Sequence, residues 1–324
     1  MRLRLLGRSG IRVSELCLGT MTFGTEWGFG TDEGEARQIY AAYRDAGGNF
    51  VDTANNYNQG TSESILGRLI AGERDSVVLA TKFAFPYPTA TAHPNSSGSH
   101  RKSLRHSLEG SLRRLNTDYV DLLWVHAWDQ CTPAEETMRA LDDLVRTGKV
   151  LAIGVSNTPA WVAAQAQAVA ELRGWTAFCA MQVEYSLAER SADRELLPMA
   201  GSSGLVPMAW SPLGRGALGG RHDPAKLSPA QRQALGAAAE VAQELGITPA
   251  EVALAWVLKR GFLPVLGARR LEQIRDNLAA VDVHLDDAQV AKLDVATRVD
   301  RGYPYDWLDE GHRRPLFSRA ALEQ

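Results

Sequence analysis

The strongest constraint on this chain is an alternation: short apolar runs of strand length recur between longer stretches of helical period, eight times over. The runs span 15–20, 49–52, 77–82, 119–126, 150–154, 178–183, 204–210 and 263–266. The helical stretches span 32–46, 62–70, 99–115, 133–147, 158–171, 192–200, a pair at 228–245 and 249–260, and 270–279. Strands apolar on both faces and separated by helices make a parallel sheet with helices packed over it. Eight such units predict an α/β fold of the (β/α)8 barrel type, one domain spanning 1–324. An open dinucleotide-binding sheet would carry GxGxxG after its first strand, and here Gly19-Thr20-Met21-Thr22-Phe23-Gly24 stands there instead. A small hairpin, 2–6 and 11–13 around Gly7-Arg8-Ser9-Gly10, precedes the first strand.

In a barrel of this kind, chemistry gathers at the carboxyl ends of the strands. Three successive strands end on Asp52, Lys82 and His126, and Tyr57 follows the first of them in an asparagine-rich loop. A carboxylate at the end of an apolar strand is costly to bury alone. A lysine in the same mouth would tend to lose its proton unless an acid such as Asp52 favours the ammonium form. A free phenol titrates near pH ~10, so as a proton donor at neutral pH it needs a cation beside its anion. Lys82 supplies that charge, and His126 is then free to hydrogen-bond a reacting oxygen. The set offers an acid without an evident nucleophile, which suits reduction of a carbonyl with hydride from a cofactor. Each member alone has a plainer explanation as a rim or pocket-wall residue; the four together do not.

Composition excludes other classes. The net charge of −3 is spread among interspersed acids and bases, with no basic patch for nucleic acid or an anionic membrane. No apolar run reaches signal-peptide or membrane-span length, so a cytoplasmic protein is expected. Cys17, Cys131 and Cys179 are widely spaced without a CxxC pair, in keeping with a reducing compartment. His93, His100 and His106 lack metal-ligand spacing, and no metal is expected. The expected partner is a small aldehyde or ketone, and a homo-oligomer is compatible with the sequence.

The segment Asn49-Phe50-Val51-Asp52-Thr53-Ala54-Asn55-Asn56-Tyr57, followed by Gly60-Thr61-Ser62-Glu63, resembles the catalytic signature of the aldo-keto reductases. Thr81-Lys82 and Val125-His126 fall where that family's lysine and histidine motifs fall, and the likeness runs over nearly the whole chain, nearest the bacterial branch similar to potassium-channel β-subunits and aryl-alcohol dehydrogenases. The resemblance implies Tyr57 as general acid, its pKa lowered by Lys82 and Asp52, with His126 orienting the carbonyl. It implies NADP(H) bound in extended form without the glycine fingerprint. Gly19, Thr20 and Met21 at the end of the first strand belong to that cofactor site, and Ser156, Asn157 and Gln182 are assigned to the nicotinamide carboxamide. Ser156-Asn157 also reads as a helix cap before Thr158-Pro159. Trp210 stands where family members stack an aromatic on the nicotinamide, and Ser211, Pro212, Leu213, Gly214, Arg215, Gly216 and Arg221 form a glycine-rich pyrophosphate loop. Gly267, Arg269, Gln273, Asp276 and Asn277 resemble the adenosine contacts, with Arg269 on the 2′-phosphate.

Trp27, Phe83, Phe85 and Trp128 follow strand ends and are candidates, with Tyr57 and His126, for an apolar substrate pocket. The segment 83–99 reads as a mobile lid, and the aromatic tail 301–307 is expected to fold over the mouth. Two rivals stand beside the reductase: a cofactor-binding, β-subunit-like protein with little turnover, and a hydrolase or isomerase using Asp52 and His126.

Overall fold

The structure, a computed structural model, describes residues 1–87, 93–219 and 223–309. Eight parallel strands close a barrel: β3 (Cys17–Gly19), β4 (Phe50–Asp52), β5 (Val78–Phe83), β6 (Val120–Val125), β7 (Val150–Ser156), β8 (Ala180–Glu184), β9 (Val206–Trp210) and β10 (Leu263–Gly267), with β10 pairing back onto β3. Helices α1 (Glu33–Asp45), α2 (Thr61–Ile70), α3 (Arg101–Leu115), α4 (Ala134–Arg146), α5 (Ala160–Arg173), α6 (Leu196–Ser203), α7 (Pro229–Leu245), α8 (Pro249–Lys259) and α9 (Leu271–Leu278) follow the strands in order, α7 and α8 together after β9. The expected (β/α)8 architecture is present. Its elements start where local chemistry permits: Asp32 caps α1 by accepting from the amide of Glu35, and Ser228 and Thr248 open α7 and α8 with capping boxes and a proline at the first turn. Each such cap contributes about 1 kcal/mol.

Two strands outside the barrel, β1 (Leu3–Leu5) and β2 (Arg12–Ser14), form the expected antiparallel hairpin. It closes one end of the barrel. Leu6 and Val13 are fully buried with Cys17, Phe50, Val78, Leu122, Trp124 and Met208 in one apolar cluster. At Gly7 a Cβ would meet the Cys179 carbonyl oxygen at 1.9 Å, so only glycine fits this contact. The second, larger cluster lies between strands and helices, and strand alternation sorts the two: Val78 and Ala80 fall in the first, Leu79 and Phe83 in the second. The interior is thus apolar against the hairpin, while Asp52, Lys82 and Gln182 stand near the carboxyl ends of their strands, at the open mouth.

Beyond α9 the chain forms α10 (Asp287–Ala296) and a short α11 (Tyr305–Trp307). α10 was not among the expected helices, although Asp286 and Gln289 make a capping box that announces it. The tail is fastened beside the loop that follows β8: the Arg194 guanidinium donates to the Asp300 carbonyl at 2.8 Å and Tyr305 Oη to Glu195 at 3.2 Å. β8 lies four strands from β4 around the barrel, so these moorings hold the tail at the rim opposite Asp52. The rest of the C-terminal loop expected over the mouth, 310–324, lies outside the described residues. Among the described residues no single helix is long and apolar enough to cross a membrane.

Candidate active site

β4 ends on Asp52, and β5 carries Lys82 one residue before its end. Their side chains, 2% and 1% exposed, form an ion pair, and Lys82 Nζ also donates to the Thr53 carbonyl at 2.9 Å. Burial alone would drive the lysine towards its neutral form, but the Asp52 carboxylate and Tyr57 leave it above its ordinary value. Lys82 is therefore an ammonium in a nearly dry place. Burial pushes Asp52 up as well, and Lys82 is the chief opposing influence.

Tyr57 opens a tight turn, Tyr57–Gly60, at the end of the asparagine-rich loop, with Lys82 Nζ 4.9 Å from its ring centroid. Burial raises the phenol above its ordinary value; Lys82 draws it down, and the charge on Asp52 adds to the rise. The expectation that Lys82 and Asp52 together lower this pKa is corrected. The lysine does so, but burial outweighs it, and Asp52 acts usefully only by keeping Lys82 charged.

His126 follows β6, its ring edge-on to Tyr57 at 5.9 Å and to Phe85 at 4.7 Å. Burial, and then the nearby Lys82, hold its pKa well below the usual 6.5, so the imidazole is neutral, and its Nδ1 is buried with no hydrogen-bond partner in the structure. A histidine kept neutral in the fold but free to charge when unfolded costs stability on acidification: the contribution is intact above pH ~6.5 and is lost as the pH falls below it. Thermal unfolding from pH 7.5 down to 5 is expected to lose up to about 1.4 kcal/mol per pH unit below pH ~6.5, and His126→Gln is expected to flatten that slope. Equal slopes in the two proteins would show that His126 charges in the fold.

The asparagines of this stretch hold the site's outer parts in place. Asn55 Nδ2 donates to the Phe85 carbonyl at 2.9 Å, and Asn58 Nδ2 donates to that of Met21 at 2.8 Å while its Oδ1 accepts from the Trp27 amide at 3.2 Å. Glu63, fully buried, accepts from Thr81 at 2.6 Å and pairs with Arg114, locking α2 to β5 and α3. Ala84, Asn157 and Ser211, each the first residue past a strand, have positive φ, as do Asn58, Gln59 and Arg215 further along the same loops. Such strain concentrates at functional mouths.

The sequence matches the description "Aldo/keto reductase family" over residues 15–298. The chain belongs to the aldo-keto reductases. It is 40% identical over 320 residues to norsolorinic acid reductase stcV of Emericella nidulans, covering 93% of this chain and 83% of that protein. It is 42% identical over 301 residues to the oxidoreductase YrpG of Bacillus subtilis, covering 87% and 91%. The aryl-alcohol dehydrogenase GME11368 of Pestalotiopsis microspora is 35% identical over 331 residues, covering 96% and 86%. Carbonyl reduction by an oxidoreductase is what this family membership supports.

In this aldo-keto reductase the expected cofactor residues line one side of the mouth, from β7 round to β3. Ser156, the last residue of β7, is paired in register with Gln182 on β8, and both are buried; the Gln182 side-chain amide lies near the Asp52 carboxyl and favours its charged form. Asn157 differs from expectation: its Nδ2 donates to the His126 carbonyl at 2.9 Å and to Ser156 Oγ at 3.0 Å, and its Oδ1 accepts from the Trp210 indole at 3.2 Å. It braces Trp210 and the end of β6 as much as it offers itself to a ligand. Arg215 pairs with Glu184 and lies over the Trp210 ring, within the turn that contains Ser211, Pro212, Leu213, Gly214 and Gly216; Arg221 lies outside the described residues. Arg269 and Arg270 are exposed at the start of α9, lining a cavity of about 510 Å³ with Thr25, Asp32 and Glu35. The α9 terminus is not left open for an anion: Glu35 accepts from the Leu271 amide at 2.6 Å and Gln273 from that of Arg269 at 2.8 Å. Asn277 is buried and Asp276 exposed on α9, and Gly19, Thr20 and Met21 end β3 beside β10.

Aromatic rings form the rest of the rim. Trp27 stands edge-on to Tyr57 at 6.1 Å and tilted to Phe29 at 5.9 Å, while Trp128 stands edge-on to Trp161 at 5.5 Å. Phe83 is not among them. It is fully buried on the helix-facing side of β5, because its neighbour Lys82 takes the inward position, and Phe85 occupies the rim in its place. The expected lid 83–99 is fastened at its far end, where Asp129 accepts from the Ser99 amide at 2.7 Å and from Thr132. Residues 88–92 of that segment lie outside the described residues. Phe29 and Trp161 escaped the sequence reading because neither directly follows a strand. Among the described residues no group of three His, Cys, Asp or Glu side chains is placed to hold a metal ion.

Proposed function

We propose that this protein reduces aromatic or bulky aldehydes and ketones to alcohols with NADPH, Tyr57 donating the proton. The observation that carries the proposal is the buried Lys82–Asp52 ion pair set against Tyr57. A bound dihydronicotinamide would supply hydride to the carbonyl carbon. The chain's own groups then have these tasks. Tyr57, raised by burial, is fully protonated at neutral pH, and its phenol is a stronger acid than the alcohol being formed, so the proton moves to the developing alkoxide. Lys82 steadies the phenolate left behind, Asp52 keeps Lys82 charged, and neutral His126 fixes the carbonyl oxygen by one hydrogen bond.

The Gln182 amide, Ser156 at the neighbouring strand end and the half-exposed Trp210 ring fit a nicotinamide carboxamide and its ring face. The exposed Arg269 guanidinium supports a 2′-phosphate, hence NADP(H) over NAD(H), held by the side chain rather than by the α9 amides, which Glu35 and Gln273 occupy. Three unpaired cysteines, two of them buried, support a cytoplasmic setting. The aromatic rim suits flat, apolar carbonyl compounds, a reading that agrees with the printed names of the norsolorinic acid reductase and aryl-alcohol dehydrogenase relatives.

Loss of reduced-nicotinamide absorbance on adding an aryl aldehyde tests the proposal. Tight retention of NADPH with no turnover across a carbonyl panel would instead support the β-subunit-like alternative. Trp128→Ala is expected to raise KM for a polycyclic aryl ketone about tenfold, the worth of one large aromatic contact, with KM for a small aliphatic aldehyde nearly unchanged. Equal effects on both substrates would remove Trp128 from the pocket.

A further inference from the structure

Three polar atoms are buried in the barrel interior without a hydrogen-bond partner: Asp52 Oδ1, Trp124 Nε1 and Gln182 Nε2. A buried carboxylate oxygen and two buried N–H groups left unpaired would be expensive unless they serve one another or a ligand. Gln182, in the middle of β8, has two amide hydrogens and can serve both Asp52 and the nicotinamide site proposed above. Trp124, level with Lys82 and one residue before the end of β6, has no such ligand to account for it. Its side chain is fully buried, in the apolar cluster closed by the hairpin, one strand from Lys82 and paired with it in register.

The orientation of the indole follows from its other neighbour. Trp124 pairs in register with Gly154 on β7, and a Cβ at Gly154 would lie 2.4 Å from Trp124 Cε3 and Cζ3. The benzo edge of the indole is therefore seated against β7 in a hollow that only glycine leaves. In an indole the N–H lies on the opposite edge. That edge faces away from β7, towards β5 and β4, which carry Lys82 and Asp52.

We infer that Trp124 is a positioning residue for the proton-transfer machinery, its indole N–H aimed at Asp52 Oδ1 while Lys82 holds Oδ2. The carboxylate is then gripped from both oxygens and cannot rotate away from the ammonium. In keeping with this, after burial and Lys82, the influences on the Asp52 carboxyl are the Gln182 and Trp124 N–H groups, both of which favour its charged form. The other titratable groups facing the pair are Tyr57 from the turn after β4, Cys17 from β3 and His126 from β6. The Cys17 thiol is pushed far up by burial and by Asp52, and so is uncharged. Without the indole N–H, Asp52 becomes a stronger base and draws the Lys82 proton towards itself. Less positive charge then reaches Tyr57, and its apparent pKa rises.

The inference rests on Tyr57 being the proton donor and is tested with Trp124→Phe, which keeps an aromatic ring in the Gly154 hollow and removes the N–H. The pH profile of NADP-dependent alcohol oxidation, which needs the phenolate, is expected to move up by roughly half a unit, a fraction of one charge-assisted hydrogen bond. NADPH affinity by fluorescence quenching is expected to stay within about twofold, since the indole is fully buried and offers no surface to a ligand. A merely structural role would lower activity or melting temperature without moving the profile, and superimposable profiles would overturn the inference. In 15N-labelled protein, the Trp124 indole resonance is expected to shift in the Asp52→Asn variant, and a resonance that stays in place would overturn the inference independently of activity. If the parent protein shows no nicotinamide-linked turnover at all, the reductase reading fails and the inference falls with it.

Discussion

Tyr57→Phe is expected to reduce carbonyl turnover by about a thousandfold while NADPH still binds, the range that positioned general acids contribute. The substitution removes one oxygen. The ring keeps its edge contacts with His126 and Trp27, and Lys82 keeps its ion pair with Asp52, so the fold and the mouth are retained. What disappears, among the described residues, is the group beside His126 with a proton to give at neutral pH: the imidazole is neutral, and Lys82 is held by Asp52 and the Thr53 carbonyl. Quenching of protein fluorescence by NADPH measures binding, and the decay of nicotinamide absorbance with an aryl aldehyde measures turnover. A variant that turns over within a few-fold of the parent would end the assignment of the acid, and a variant that no longer binds NADPH would show that the phenol belongs to the cofactor site.

Lys82→Met carries the second large effect, on stability. Removing one member of a buried ion pair leaves a carboxylate in the barrel with no counter-charge, which costs about 3–5 kcal/mol at neutral pH. Asp52 in that variant escapes part of the cost by taking a proton, so its folded pKa rises far above the ~3.9 of the unfolded chain. An acid whose pKa is raised by folding destabilises the fold as the pH climbs from the unfolded value to the folded one. Measured against the parent at the same pH, the variant should therefore lose less stability at pH 5 than at pH 8, and Lys82→Met/Asp52→Asn should recover most of the loss at pH 8. Urea unfolding at the two pH values measures both. A Lys82→Met protein as stable as the parent at pH 8 would mean that water reaches Asp52.

The alternation of apolar runs and amphipathic stretches made the barrel legible, because a strand covered on both faces has no room for polar residues and a helix over it needs only one apolar side. The residues at strand ends were legible for the converse reason: an Asp, a Lys and a His interrupt runs that should be apolar, and one explanation serves all three. The facing of Phe83 was not legible, since a fully apolar strand gives no sign of which residues point inward until Lys82 fixes the parity. Nor was the direction in which the Tyr57 pKa moves. Sequence names the charges beside a phenol but not how much water it loses, and here the loss of water prevails. The double duty of Asn157 depends on Trp210, fifty-three positions away, and no local pattern announces such a pairing. Asn55 and Asn58 were visible as a polar loop, yet their carbonyl partners lie in other loops brought near only by closure of the barrel.

The stoppered end of the barrel also sets where this protein is free to vary. One added methyl group at Gly7 collides with the Cys179 backbone, and Leu6 and Val13 touch residues from strands all round the tube, so the hairpin end tolerates almost no trial and error. At the opposite end the tight fits are local, as at Gly30, where a Cβ would lie 2.1 Å from the Gly24 carbonyl oxygen, while the rings of Trp27, Phe85 and Trp128 along the rim are only partly buried. Divergence among copies of this chain is therefore expected first in those rim rings, above a base that holds its shape.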